Sequence, residues 1–391
     1  MPSVITWLDV SSDEQRRMRE LAAMFTQRNS RDELGIGQIR DGIGDALFPG
    51  TSTLHTRAKY LLLVPWSFQH AARAKSPGKN GKPQPDATEL ALIDPLRASN
   101  DSEGLLGERA GMHLQNLPSS VYWTMLQRYG ILNRPASRTE ALAASVPRTR
   151  ESDDGSLTAS SIWSVPAAPA GFPAEIPDGF ALTADEAAWL RDRVFEHAPG
   201  TLLAHLMLHR PQNESATPWS DPASASAPER AATVIAHAHR FSAIMHGAQL
   251  LYNLLLAEES ERPELQDEYR SRLAQWAAKL PAGYENWRLD ALLQTIHRER
   301  GSHLPVAAGA LRFVQDWSAL VQRLDPATIL DARDARALIR TREKIKGAKA
   351  RLGNPKRLQA WTGASGSGRL TFRWATVRRF ATDIHEGLDR A

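Results

Sequence analysis

Apolar residues recur along most of the chain at the three- and four-residue spacing of an α-helix, whereas alternation at every second residue is scarce. The longest helical pattern covers residues 229–258. Further helices are predicted over 264–280, 286–298 and 304–324. The pattern therefore predicts a mainly α fold.

Two helix starts carry capping signals, and one short apolar run is ambiguous. Ser12 precedes two acids, and Thr183 with Glu186 fits a capping box. Residues 60–66 suit a buried strand or a Pro-kinked helix, because periodicity cannot decide so short a run. We expect a helix, since residues 67–74 continue without a turn signal.

Two helices joined by a tight turn are predicted over 103–114 and 119–129. A helix-turn-helix is one interpretation of this pair. However, Arg128 is the single cation of the second helix, whereas a recognition helix offers several polar side chains to the bases. A plain packed helix pair is the preferred interpretation.

Three stretches rich in Pro, Ser and Ala interrupt the helical pattern, and such compositions bury too little apolar area to offset the entropy of ordering. They predict multi-helix globular N-terminal and middle blocks and a small basic helical block at the C-terminus. The predicted division is 1–133, a helical domain with an insertion at 76–87; 134–179, a linker; 180–330, a helical domain with an insertion at 211–228; and 331–391, the basic helical region.

Composition and the N-terminus exclude several classes of protein. The chain has 42% hydrophobic residues, 24% charged residues and no cysteine. This excludes wholesale disorder, disulfides, thiolate metal sites and cysteine nucleophiles. No signal peptide is recognisable, and the longest purely apolar run, Leu61–Val64, is far shorter than the roughly 20 residues that span a bilayer. We expect a cytoplasmic protein with no membrane partner.

The net charge of +4 is unevenly distributed along the chain. Residues 331–391 contain 15 Lys+Arg and 6 Asp+Glu, a balance of +9, which leaves −5 for the other 330 residues. Such asymmetry suggests an anionic partner, and nucleic acid is the commonest one. The alternative is a solvated basic surface, or a dock for the acidic remainder of the chain.

Within this basic region, cations are interleaved with the aromatic residues Trp361, Phe372 and Trp374, a pattern typical of surfaces that bind nucleic acid. The alternative is that the aromatics form the core of a small helical subdomain. Leu338, Ile345 and Leu352 predict a narrow apolar seam at heptad spacing. The candidate nucleic-acid contacts are Arg336, Arg340, Lys346, Lys349, Arg369 and Arg373.

A polar seam runs along the predicted helix from residue 229. His239, Ser242, His246, Gln249 and Asn253 share one helical face that carries no Lys, Arg or Glu. One interpretation is a pocket lined by His239, His246 and Asn253. The other is a buried hydrogen-bond network that joins helices and does no chemistry.

An acidic cluster near the N-terminus offers candidate catalytic residues. Glu33, Asp41, Asp45 and Lys59 are the residue types that metal-dependent nucleases arrange around a phosphate. The alternative is an ion-pair network in which Asp41 and Asp45 face Arg57 or Lys59.

Metal and cofactor sites are not indicated elsewhere in the sequence. His205 and His209 have the i, i+4 spacing of helical metal ligands, but the sequence indicates no third ligand. The loop 363–369 is rich in glycine but lacks the Lys-Ser/Thr ending of a P-loop. We therefore expect neither a bound metal nor a cofactor.

Five segments together resemble a bacterial family of unknown function, the one numbered 6361. They are ITWLD, RDELGIGQIRDGIGDALFPGTSTLHTRAKYLLLVPW, LPSSVYWTMLQRYGI, GAQLLYNLLLAE and RLTFRWATVRRFATDIHEGL. The resemblance implies an anti-phage island, with genes for a helicase and a phospholipase-D-like nuclease nearby. It implies no catalytic residue.

These observations leave three classes of function open, and whether the protein is an enzyme is part of that question. The preferred hypothesis is a non-catalytic or accessory subunit of a multi-protein anti-phage defence system. It would contact DNA, or a DNA-handling partner such as the helicase or nuclease, through residues 331–391. The alternative is a metal-dependent nuclease or hydrolase that uses the acidic cluster, and a purely structural scaffold is a third reading.

Overall fold

The computed structural model describes residues 32–73, 85–145, 161–176, 178–301 and 304–390. These residues form α-helices and short 3-10 turns, and among them an isolated bridge between Leu132 and Trp163 is the only β-type pairing. The prediction of a mainly α protein is therefore confirmed. The helix predicted from Ser12 and most of the 76–87 insertion fall outside the described residues.

The helices are numbered here in chain order. They are α1 (Gly37–Leu47), α2 (Tyr60–Arg73), α3 (Pro85–Ala91), α4 (Ile93–Ala98), α5 (Pro118–Arg128), α6 (Arg138–Ser145), α7 (Ala184–His197), α8 (Leu202–Leu206), α9 (Glu229–Glu259), α10 (Pro263–Ala277), α11 (Leu289–Arg300), α12 (Ala308–Arg323), α13 (Arg333–Lys344), α14 (Pro355–Gln359) and α15 (Trp374–Leu388).

The described chain divides into two compact units, each assembled from segments far apart in sequence. Unit 1 contains residues 32–42 and Ala236–Leu370, and unit 2 contains the described parts of Ile43–Ile235 and residues 371–390. The sequence analysis instead divides the chain into consecutive blocks. The two divisions differ because packing between helices reunites segments that composition alone keeps apart.

The core of unit 1 is built around α9, whose residues 247–257 are all buried. Two indoles contact its backbone: Trp276 donates to the Ala243 carbonyl at 2.7 Å and Trp317 to the Ile244 carbonyl at 2.8 Å. Gly247 permits this close packing, because a Cβ at that position would collide with the Trp276 ring.

The core of unit 2 contains α2, which packs against α3, α5 and α6, while α15 packs against α7 and α8. The helix preferred over a strand at residues 60–66 is confirmed, with Pro65 inside it. The capping box at the start of α7 is also confirmed: the Thr183 hydroxyl accepts from the Glu186 N–H, and the Glu186 carboxylate accepts from the Thr183 N–H.

The predicted helix over 103–114 is wrong. Gly104, Gly107 and Gly111 all have positive φ, a conformation that ends a right-handed helix, and the segment forms turns with one 3-10 turn at Gly111–His113. The second predicted helix is present as α5. Neither a helix-turn-helix nor a packed helix pair therefore forms here.

The segment 211–228, predicted as a loose insertion, is ordered. It forms 3-10 turns at Pro218–Ser220 and Pro222–Ser226 around Asp221, whose side chain is buried. Asp221 accepts hydrogen bonds from the Ser215 hydroxyl and from the Gln212 and Ala223 N–H groups. One buried carboxylate thus organises a segment that has little apolar area of its own.

The apolar seam predicted in the basic region is also wrong. α13 buries Ala335 and Ile339, whereas Ile345 is 68% exposed. The helix ends at Lys344, so the heptad spacing that includes Leu352 continues across a break in the helix.

Candidate functional site

Most of the basic charge of the C-terminal region lies in unit 1. Residues 331–370 contain 11 Lys+Arg and 3 Asp+Glu, a balance of +8. We call residues 333–369 the cationic segment. Some of its cationic residues are exposed, and their side chains form no hydrogen bond or ion pair within the described part of the chain. They are Arg333, Arg340, Lys344, Lys349, Lys356, Arg357 and Arg369.

The six candidate nucleic-acid contacts divide into two groups. Arg340, Lys349 and Arg369 belong to the exposed, uncommitted cations. Arg336 forms an ion pair with Glu258, and Lys346 and Arg373 are also paired, as described below. A phosphate would therefore meet the first group without first breaking an internal ion pair.

A cavity of about 370 Å³ lies beside the cationic segment within unit 1. We call it the cationic pocket. Its wall contains four cations and two acids, and it is lined by Asp32, Glu33, Lys346, Lys349, Arg351, Arg357 and Ala360.

The two acids of the cationic pocket are already engaged. Glu33 lies 2.5 Å from the Lys346 ammonium and 2.5 Å from Arg351 Nη1. Burial alone would raise the pKa of Glu33, but the hydrogen bonds from Lys346 and Arg351 outweigh it and lower that pKa. Asp32 accepts from the N–H groups of Ile36 and Gly37 at the start of α1.

The cations of the pocket are engaged unequally. Lys346 also pairs with the buried Glu343, at 2.5 Å, so that it bridges two carboxylates. Lys349 and Arg357 have no acidic partner among the described residues. The charges at the pocket that have no ion-pair partner are therefore positive, and the arrangement suits an anion such as a phosphate.

The polar seam of α9 holds the loop 363–370 in place. The Ser242 hydroxyl donates to the Leu370 carbonyl at 2.9 Å, and His246 Nε2 donates to the Ser367 carbonyl at 3.2 Å. Asn253 donates to the Ser365 carbonyl and accepts from the Ser365 N–H, at 2.9 and 2.8 Å. These contacts match the interpretation of a buried hydrogen-bond network.

The two histidines of the seam differ in their surroundings. Burial first, and then the nearby charges of Arg369 and Arg272, lower the pKa of His246 to about 4, so this imidazole is neutral at physiological pH. His239 is half-buried, and its pKa is also lowered, first by burial. Neither imidazole thus adds a positive charge to the seam.

The four candidate catalytic residues each have a separate partner. Glu33 binds Lys346 and Arg351, as above, and the exposed Asp41 pairs with the neighbouring Arg40 at 3.0 Å. In unit 2, Asp45 pairs with Arg373 at 2.7 Å, and Lys59 pairs with Glu186 at 3.1 Å. No group of three or more His, Cys, Asp or Glu in the described ranges is arranged to hold a metal ion.

The predicted partners of these acids were wrong. Arg57, expected to face Asp41 or Asp45, instead binds Asp101 and Asp383.

His205 and His209 stack with their ring centroids 4.2 Å apart, and His205 Nε2 donates to the Ala223 carbonyl.

The three aromatics of the basic region are core residues. Trp361, Phe372 and Trp374 are at most 3% exposed, so none presents a ring on which a base could stack. The expectation that they are core residues is therefore confirmed, but the expectation of one small subdomain is wrong, because Trp361 belongs to unit 1 and Phe372 and Trp374 belong to unit 2. The sequence analysis did not single out Arg351, whose only signal is its place among other cations.

Comparison with known proteins gives one match. A family model, that of the family of unknown function DUF6361, matches residues 2–387. No curated protein and no solved structure matches the chain at a significant level. None of the described helices combines the length and the apolar character needed to cross a membrane.

Proposed function

We propose that this chain, which belongs to the family of unknown function DUF6361, is an accessory, non-catalytic subunit that contacts DNA through the cationic segment of unit 1. It acts in the cytoplasm within a multi-protein anti-phage system, beside a helicase or a phospholipase-D-like nuclease. The observation that carries the proposal is the set of seven exposed cations in 333–369 that have no partner among the described residues.

Uncommitted cations favour phosphate binding for an energetic reason. An exposed ammonium or guanidinium gains a phosphate contact and releases condensed counterions without giving up an internal pair. Lys346, by contrast, would have to leave two carboxylates first. We therefore assign the main contacts to Arg340, Lys349, Arg357 and Arg369.

This surface would contact the phosphates of the DNA backbone and would not distinguish base sequences. Phosphate contacts position a protein on DNA but carry no direct sequence information. The buried state of Trp361 removes the one aromatic of the cationic segment that could stack on a base. We expect weak binding without sequence preference.

The test compares two triple variants that remove the same charge. Arg340→Gln/Lys349→Gln/Arg357→Gln alters the cationic segment, and Arg73→Gln/Arg128→Gln/Arg134→Gln alters exposed cations of unit 2. Affinity for a labelled duplex is measured as a function of salt concentration. The first variant should shrink the log–log slope by about 0.9 for each phosphate contact that is lost, whereas the second should bind like the wild type.

Two results would overturn the DNA contact. One is absence of binding by the wild-type protein even at low salt. The other is an equal loss of affinity in both triple variants, which would mean that overall charge rather than this segment is responsible.

The defence role has its own test. Cells that carry the gene with its neighbours are challenged with phage, and the efficiency of plating is compared for the wild type and the two triple variants. Protection that is lost with the cationic-segment variant and kept with the unit 2 variant supports the proposal. Equal protection by all three contradicts it.

A further inference from the structure

Unit 2 contains a cavity that the proposed function does not use. Its volume is about 420 Å³, within the range of roughly 300–1,000 Å³ typical of small-molecule sites. Its wall combines one ion pair, Arg373 with Asp45, with neutral polar side chains that include Asn116 and Thr124.

The backbone holds Arg373 at the cavity in an unfavourable conformation. Phe372 and Arg373 are consecutive non-glycine residues with φ values of 50° and 67°. Left-handed residues of this kind cost free energy and persist only where the surroundings enforce them. Gly44 makes room for the side chain, because a Cβ there would lie 3.3 Å from Arg373 Cζ.

The ion pair leaves hydrogen-bonding capacity on both of its members. Arg373 Nη1 donates to Asp45 Oδ1 and to the Thr51 carbonyl, both at 2.7 Å. Arg373 Nε and Nη2 and Asp45 Oδ2 have no partner in the described part of the chain. The same is true of the side chains of Asn116 and Thr124. The Arg373–Asp45 ion pair therefore offers a ligand two free donor nitrogens next to one free acceptor oxygen.

The cavity wall carries no net charge. His55 accepts from the Ser52 N–H at Nδ1 and donates from Nε2 to the Val121 carbonyl, which fixes a neutral ring. Burial lowers the pKa of His55 to about 4, so it stays neutral at physiological pH. The charges of Arg373 and Asp45 cancel, and a ligand that is itself strongly charged gains little here.

We propose that this cavity binds a nucleobase presented as a nucleoside, with guanine as the best match. A guanine edge offers the acceptors O6 and N7 and the donors N1–H and N2–H, which complement a guanidinium beside a carboxylate. Leu54, which is 47% exposed, and Val121 offer apolar contact to the flat face of the base. Among the described residues, the cavity lining contains no Phe, Tyr or Trp ring against which a sugar could pack. The carboxylate of Asp45 disfavours a phosphate.

The experiment measures guanosine binding to the full chain by calorimetry, with ribose and inorganic phosphate as comparison ligands. The wild type should bind guanosine saturably and neither of the others. Asn116→Ala and Thr124→Val remove unpartnered polar groups and should each weaken binding about 5- to 10-fold. Thr139→Val, at an exposed threonine of unit 2 that does not line the cavity, should leave the affinity unchanged.

The role of the ion pair is tested separately. Asp45→Asn replaces one of the two carboxylate oxygens by an NH2 donor and removes the negative charge, so it should weaken guanosine binding at least as much. A melting curve shows whether the variant is folded. If Asp45→Asn does not fold, Asn116→Ala and Thr124→Val carry the test alone. Absence of guanosine binding, equal binding of ribose, or wild-type affinity in both Asn116→Ala and Thr124→Val would overturn the proposal.

Discussion

A single buried carboxyl in unit 2, that of Glu89, determines a pH response. Its side chain is fully buried, and Oε2 accepts from the Ser119 N–H at 2.7 Å. Oε1 has no hydrogen-bond partner among the described residues and lies 3.8 Å from Arg138. Burial raises the pKa of Glu89 to about 7, so the carboxyl is protonated in the folded protein under mildly acidic conditions.

The sign of the effect follows from linkage. Between the ordinary pKa of 4.5 and about 7, the folded chain holds a proton that the unfolded chain has lost, so Glu89 makes the free energy of unfolding decrease as pH rises. Glu89→Gln removes this contribution and should stabilise the protein at pH 8, relative to the wild type, more than at pH 5.

Urea denaturation of the wild type and Glu89→Gln at pH 5, 6, 7 and 8 checks the prediction. Subtracting one curve from the other cancels the opposite trend expected from His55 and His246, whose pKa values are lowered to about 4. A difference that stays constant across this range would contradict it.

At the scale of elements, the pairing of α9 with the loop 363–370 shows how a polar helix face is used. A surface helix normally turns its polar face to water. Here Ser242 and Asn253 are buried and bind loop carbonyls, and Tyr269 and Arg272 of α10 bind the same loop at Gly363 and Ser367. The loop has few apolar side chains, so hydrogen bonds take the place of packing.

Asn253→Ala should release this loop. It removes two hydrogen bonds to Ser365 and leaves buried polar groups without partners, at a cost of about 1–3 kcal/mol in the free energy of unfolding. Hydrogen exchange should speed up over 363–370. Gln266→Ala, at a partly exposed side chain of unit 1 that bonds α9 instead, is the control. Unchanged exchange in the loop would mean that other contacts hold it.

At the scale of the whole molecule, ion pairs link segments that lie hundreds of residues apart. Arg57 Nε contacts both carboxylate oxygens of Asp383 at 3.0 Å, 326 positions later in the chain. The same guanidinium donates to Asp101 and to the Glu103 carbonyl. One buried arginine therefore joins α15 to the N-terminal part of unit 2.

Arg57→Lys should destabilise unit 2 strongly, because an ammonium cannot reproduce this fork of hydrogen bonds. Asp383 would be left buried with an inadequate partner, and breaking a buried pair costs about 3–5 kcal/mol. Arg40→Lys, in the exposed pair with Asp41, should change stability by less than about 1 kcal/mol. Equal melting temperatures for the two variants would show that the ion pairs of Arg57 contribute little to the stability of unit 2.

Local sequence patterns determined the helices with good accuracy where the apolar spacing was sustained. The helix predicted over 229–258 is α9, and the capping box at Thr183 starts α7 as expected. These features depend on residues three or four positions apart, which the sequence displays directly. The excess of basic charge in the C-terminal region was equally visible, because charge is a property of composition.

Only the tertiary structure decided which of those charges remain available. Lys346 and Lys349 look alike in sequence, yet one bridges Glu33 and Glu343 while the other is exposed. The pairing of Glu33 with Lys346 spans 313 positions, and the cavity beside Arg373 depends on a left-handed backbone that no local rule predicts for arginine. Partners so distant in sequence are chosen by how the helices pack, since burial and geometry set the strength of each ion pair and hydrogen bond.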